Sequence, residues 1–188
     1  MSDKISIRAG MKQALSKLSK PIYEDYSYKI ACRLYQEKVW NEAQVIGITV
    51  SKPPEPDTYQ IIRKAWEAGK QVAVPKCHSR DKQLTFRTLT EFSQLESVFF
   101  GLYEPREEMT NEVIADRLDL VIVPGLAFST DGFRIGFGGG YYDRFLSRYS
   151  GNTLSLAFNE QIMDELPAED HDIPVQCIIT PDRILKIR

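Results

Sequence analysis

Cysteine is scarce in this chain: Cys32, Cys77 and Cys177 are the only three, far apart and odd in number. That spacing excludes a disulfide framework and a CxxC redox or zinc site, and it fits a reducing cytoplasm. Surplus positive charge is missing too. With 24 Lys and Arg against 26 Asp and Glu, the formal net charge of -2 argues against a general nucleic-acid binder. A small anionic ligand needs only a local basic patch. No long apolar run occurs either. The greasiest stretch, residues 118–128, is interrupted by Asp119, Pro124 and Gly125, and the opening Met-Ser-Asp-Lys-Ile lacks the apolar core of a signal peptide. No membrane span is expected. Repeats, linkers and low-complexity tracts are also missing, so the 188 residues read as one domain, 1–188. At 43% hydrophobic and 27% charged, the composition is that of a packed globular protein.

Periodicity supplies the elements. Ile7, Met11, Leu15 and Leu18 recur at helical spacing, and Pro21 after Ser19 predicts a stop and a second helix to about Lys38. Residues 43–50 are β-branched and apolar on both faces, as in a buried parallel strand, and run into Ser51-Lys-Pro-Pro-Glu-Pro56. Asp57 or Thr58 can cap a helix carrying Ile61, Ile62, Ala65 and Trp66, ended by Gly69, with the next strand at 71–75. A strand at 84–89 and an amphipathic stretch through Leu95 follow. Residues 118–124 form the clearest central strand, and a helix is expected through Tyr142, Phe145, Leu146 and Tyr149. Further strands are expected at 154–158, 177–180 and 183–187. Strand and helix in alternation predict a three-layer α/β/α sandwich with a mostly parallel central sheet. In such sheets ligands gather at the carboxyl ends of the strands, so the loops after Val50, Pro75 and Val123 should converge.

The third of those loops holds Arg134-Ile-Gly-Phe-Gly-Gly-Gly-Tyr-Tyr-Asp143. Glycines let backbone N–H groups close on an anion, and phosphate is the natural guest. The segment matches neither a P-loop nor the dinucleotide fingerprint. Arg134 can reach phosphate, and Asp143 can hold Mg²⁺ against the same oxygens. A tight structural turn with a surface Arg and a capping Asp is the alternative. Lys4, Arg8 and Lys12 recur every four residues, giving either a cationic edge for phosphates or a solvated face. Glu55 ends a strand behind two prolines and is either aimed at a polar ligand or exposed. Asp170-His171-Asp172 offers carboxylates to a metal or lies on the surface. Cys77-His78 lacks a second ligand pair for zinc, while Lys76 and Arg80 are possible anion contacts.

Pro124-Gly-Leu-Ala-Phe128, then Gly132, then residues 134–143 and Arg144, closely resemble the signature of the 5-formyltetrahydrofolate cyclo-ligases, also called methenyltetrahydrofolate synthetases. Support spans the chain: the Lys4-to-Arg8 spacing, Ser51 with Glu55 and Thr58, Val74-Pro-Lys76, Glu104-Pro105, and Leu156-Ala-Phe158 leading to Pro167 and Asp172. The resemblance implies a NagB/RpiA/CoA-transferase-like fold. It also implies a cytoplasmic, monomeric enzyme that uses ATP and Mg²⁺ to convert 5-formyltetrahydrofolate, polyglutamylated or not, to 5,10-methenyltetrahydrofolate, ADP and phosphate. Neither nucleic acid nor a membrane is an expected partner. The implied catalytic group is Arg134 with Gly138, Gly139 and Gly140. ATP would be held by Lys4, Ile5, Ser6, Ile7 and Arg8, and by the run from Arg134 through Ile135, Gly136, Phe137, the three glycines, Tyr141 and Tyr142. Val50, Glu55, Phe137 and Tyr141 would meet the folate, and Asp143 with Asp172 would bind the metal. Phe137 and Gly139 stand where some relatives carry basic residues, which shifts phosphate charge onto Arg134, Lys4 and Arg8. Two rivals are a sugar-phosphate isomerase on a similar sheet and a binding module without turnover; ATP-dependent turnover separates all three.

Overall fold

The computed structural model describes residues 4–169 and 171–187. Met1 to Asp3, read above for a signal peptide, and Asp170, read above as a carboxylate for a metal, lie outside them. Helix α1 (Lys4–Leu15) buries Met11 and Leu15, one turn apart, and α2 (Lys20–Leu34) carries Pro21 in its first turn, where a missing N–H costs nothing. Helix α2 stops at Leu34, short of the expected Lys38; the chain turns and restarts as α3 (Lys38–Glu42), which buries Trp40 against the Tyr35 ring. There follow β1 (Val45–Ile48), α4 (Tyr59–Glu67), β2 (Gln71–His78), β3 (Gln83–Thr88), β4 (Leu95–Ser97), β5 (Tyr103–Pro105), β6 (Glu112–Val113) and β7 (Leu120–Ile122). The remainder is β8 (Ala127–Ser129), β9 (Arg134–Ile135), α5 (Tyr141–Leu146), β10 (Asn152–Leu156), β11 (Ile162–Met163), β12 (Cys177–Ile179) and β13 (Ile184–Lys186).

An eight-stranded sheet in the order β13-β12-β10-β7-β1-β2-β3-β6 forms the centre. Its five middle strands, β12 to β2, are mutually parallel, while β13, β3 and β6 pair antiparallel at the edges. Strand β2 passes the expected end at Pro75 because β3 pairs with it as far as His78. Pro75 is tolerated because β1 pairs only with residues up to Ala73. Consequently the loop expected after Pro75 is the tight turn of a hairpin, not a third wall of the crevice. The amphipathic stretch to Leu95 likewise forms a short turn and the β4–β5 hairpin, and no long helix.

Alternation along the parallel strands splits the core. Ile46, Ile48, Val72, Val74, Leu120, Ile122 and Leu154 face α1 to α4, whereas Val121, Val123 and Ala73 face Phe86, Phe128, Phe145 and Leu146. Each such Ile or Leu, taken fully from water, contributes about 1.5–3 kcal/mol. The three layers are therefore present but unequal: the far layer holds the six-residue α5, while the small sheet β11-β8-β9 contributes residues to both halves of the core. From β1 the chain moves to β2 on one side and later to β7 on the other, so the strand order reverses between β1 and β7. That reversal leaves a crevice at the carboxyl ends of those two strands. Among the described residues no helix is long and apolar enough to cross a membrane.

Candidate active site

The crevice lies at that reversal, lined by Thr49, Ser51, Glu55 and Thr58 from the β1 side and by Val123, Pro124 and Gly125 from the β7 side. Its first wall is held rigid. Thr58 donates its hydroxyl to Thr49 O at 2.7 Å and accepts from Ser51 N at 2.8 Å, while Thr58 N donates to the Ser51 hydroxyl at 2.9 Å. Tyr23 from α2 donates to Glu55 O at 2.9 Å. The Glu55 residue is only 9% exposed, and its carboxylate accepts a long 3.4 Å bond from Lys52 N. Burial pushes its pKa up to about 7, with the Lys52 N–H opposing. Val50 is buried in the core.

The glycine segment adjoins the crevice through Tyr142. Strand β9 pairs with β8 and delivers the chain to Gly136, after which Gly138 and Gly140 take φ of 105° and 69°, a region that disfavours side chains. Arg8 crosses from α1 and donates Nε to Gly136 O at 2.8 Å. A Cβ on Gly139 would stand 2.5 Å from the Tyr141 ring, which lies directly over that glycine. The Tyr142 hydroxyl lies 2.7 Å from Thr49 Oγ1. Burial pushes the Tyr142 phenol far up, so it stays protonated. Phe137 is half exposed.

Arg134 is enclosed beside the glycine segment. Its side chain is 3% exposed; Nη1 donates to Ile173 O at 2.8 Å and Nη2 to Asp143 Oδ1 at 2.6 Å. Burial lowers its pKa while the Asp143 carboxylate opposes. The guanidinium is thus held by Asp143 and the Ile173 carbonyl. Lys4 is similarly engaged, 2.9 Å from Asp172 Oδ2 and 3.2 Å from Glu169 Oε1. Burial works to lower the Lys4 pKa, but those two acids outweigh it and hold it raised. Ile7 packs against the core, while Ile5, Ser6 and Lys12 are exposed.

Asp143 pairs with Arg134 and Asp172 with Lys4, and both carboxylates work to raise the Arg134 pKa against its burial. Among the described residues no group of three or more His, Cys, Asp and Glu gathers as a metal cage. Mg²⁺ does not need one: one or two carboxylates with substrate phosphates and water suffice. The donor set fits that cation, though Asp143 and Asp172 each already have a cationic partner. Lys76 donates to Glu96 at 2.8 Å and to Pro105 O at 3.2 Å, fixing the β4–β5 hairpin to β2. His78 Nε2 meets Thr85 Oγ1 at 2.8 Å. Thr49 and Tyr23 are site residues the sequence reading missed; the position of Thr49 at the end of a central strand was the available signal. A wider cleft of about 710 Å³ opens at the opposite, amino ends of the strands, but its Lys186 is paired with Glu37 and no glycine nest adjoins it.

A parallel sheet reversing at a crevice, with an adjoining glycine segment and buried ionisable groups, defines an α/β enzyme with its site at the carboxyl ends of the strands. A profile of the 5-formyltetrahydrofolate cyclo-ligase family matches residues 1–181. The 5-formyltetrahydrofolate cyclo-ligase of Mus musculus is 30% identical over 192 residues, covering 96% of this chain and 95% of its own. That of Escherichia coli K12 is 32% identical over 146 residues, covering 76% and 80%. The NMR structure of Aquifex aeolicus 5,10-methenyltetrahydrofolate synthetase superposes with a TM-score of 0.87 at 26% identity, covering 100% of this chain and 94% of that one. A 5,10-methenyltetrahydrofolate synthetase from Mycoplasma pneumoniae, at 21% identity and a TM-score of 0.77, shares the fold. The chain belongs to the 5-formyltetrahydrofolate cyclo-ligase family.

Proposed function

We propose that this chain converts 5-formyltetrahydrofolate to 5,10-methenyltetrahydrofolate with hydrolysis of ATP to ADP and phosphate, and that Mg²⁺ is required. The observation that carries the reading is the link between Tyr142, at the end of the glycine segment, and Thr49 in the lining of the crevice that holds the buried carboxyl of Glu55.

A formyl oxygen is a poor leaving group as it stands. It attacks the γ-phosphorus of ATP, ADP departs, and the oxygen becomes part of a phosphate ester. The folate N10 then attacks the formyl carbon, phosphate leaves with that oxygen, and N10 gives up its proton. No protein nucleophile is needed. The chain's task is positioning and charge neutralisation. Backbone N–H groups at Gly138 to Gly140 cradle the transferring phosphoryl, and Arg8 adds a guanidinium beside them. Arg134 fixes Asp143, and Lys4 fixes Asp172, so that both carboxylates hold still. Mg²⁺, bound there, supplies positive charge to phosphate oxygens. Glu55 meets the folate, with the Val50 backbone, Phe137 and Tyr141 alongside it, and Tyr142 keeps the glycine segment against the crevice. Ile5, Ser6 and Ile7 complete the ATP segment of α1. The enzyme works as a cytoplasmic monomer on mono- or polyglutamylated folate.

Purified protein mixed with 5-formyltetrahydrofolate and Mg-ATP should develop the near-ultraviolet absorbance of the methenyl product. Omitting ATP, or adding a chelator, should abolish it. Product formed without ATP, or none with it, sinks the reading.

A further inference from the structure

The glycine segment offers backbone donors but little usable charge. Residues 135–143 contain no Lys or Arg, and Arg134 before them is enclosed with Asp143. Lys4 is held by Asp172 and Glu169. Two guanidinium groups do lie against the glycines. The central carbon of Arg8 is 3.7 Å from where a Cβ on Gly138 would stand, and Arg144 Nη1 is 2.8 Å from the same point on Gly140. The Tyr141 ring covers Gly139 between them. Three successive glycines are thus each crossed by a side chain, cation, ring, cation. Arg144 reaches back because helical side chains lean toward the amino end, and Nη1 donates to Gly140 O at 3.1 Å. Helix α5, with six residues, is too short for its terminus to supply the missing charge.

We propose that Arg144 is a phosphate-binding residue of this site, which together with Arg8 neutralises the triphosphate of ATP from opposite ends of the three glycines. Arg144 is exposed, and its guanidinium keeps N–H donors beyond the one given to Gly140 O. Those donors suit a bridging or terminal phosphate oxygen. The proposal rests on the ATP-dependent reading above, and its test separates the two.

Arg144→Gln removes the charge and shortens the side chain, withdrawing the Nη1 donor from Gly140 O. It should raise the KM for ATP roughly tenfold, the effect of one charge-assisted contact, with the folate KM and the urea unfolding midpoint unchanged. Arg144→Lys should recover most of the loss. Arg148→Gln, four residues on, where the side chain instead bonds Gln83, should behave as wild type. Affinity for inorganic tripolyphosphate, measured by calorimetry, should fall by a similar factor in Arg144→Gln alone. Because that measurement needs no turnover, a chain that fails to cyclise the folate would overturn the function and leave Arg144 assigned. Wild-type KM and tripolyphosphate affinity in Arg144→Gln, or equal losses in Arg148→Gln, would overturn the assignment.

Discussion

Replacing Glu55 by Gln should stabilise the protein, and by an amount that grows with pH. The carboxyl is 9% exposed, and burial moves its pKa from the usual 4.5 to about 7. Below pH 4.5 it is protonated in both folded and unfolded chains and contributes nothing to the difference. Between 4.5 and 7 the unfolded chain releases its proton while the folded chain retains it. The folded state then binds more protons, so stability falls as pH rises. Above 7 the loss levels off at about 3 kcal/mol, taking about 1.4 kcal/mol per pH unit. Glutamine has the same shape, keeps an acceptor for Lys52 N, and does not titrate. Urea unfolding of both proteins at pH 5 and pH 8 is the assay. The advantage of the variant should widen by roughly 2–3 kcal/mol between the two, with unchanged slopes. Any fixed offset from packing the amide cancels in that comparison. A gap that stays constant, or that narrows toward pH 8, would refute the claim that Glu55 is held in a desolvated site.

Arg134→Ala leaves Asp143 without its partner. It should cost about 3 kcal/mol in urea unfolding, at the low end for a broken buried pair because Asp143 is 31% exposed, and turnover should fall by more than folate affinity. Gly139→Ala puts a methyl group 2.5 Å from the Tyr141 ring and forces it aside; the folate KM should rise about tenfold, and an unchanged KM would remove Tyr141 from the folate site. Phe158→Ala empties a fully buried position against Tyr26 and against Tyr23, whose hydroxyl holds Glu55 O. It should cost about 3–5 kcal/mol, which calorimetry checks.

The central strands were readable because β1 and β7 are buried on both faces, and their β-branched runs have no other stable home. Helix α4 was readable for a similar reason, since Ile61, Ile62 and Ala65 place its apolar face directly. The β4–β5 hairpin was not. Its strands have three residues each, and it is fixed by Lys76, an ion pair and a carbonyl contact between segments some 20 to 29 residues apart. Arg134 shows the same limit at the site. Beside a run of glycines an Arg reads as a phosphate contact, yet Ile173 O and Asp143 arrive by folding to enclose it. Local pattern located the segment; which of its charges stay open to a ligand depends on partners that spacing does not encode.

Among the described residues, the polar links of the first helix to the candidate site include Arg8 to Gly136 and Lys4 to Asp172, the latter joining residues 168 apart in the chain. Within α1 only Met11 and Leu15 are buried, so its hold on the rest of the molecule is modest. Such an element opens at a free energy well below that of global unfolding. Anything bound between α1 and the glycines favours the docked helix and raises the free energy of that opening through mass action. Saturating nucleotide should therefore slow amide exchange in α1 more than in β1 or β7, whose exchange already tracks the whole fold. Occupancy of the pocket thereby becomes visible as a tightening of the first helix, far in sequence from the glycine segment.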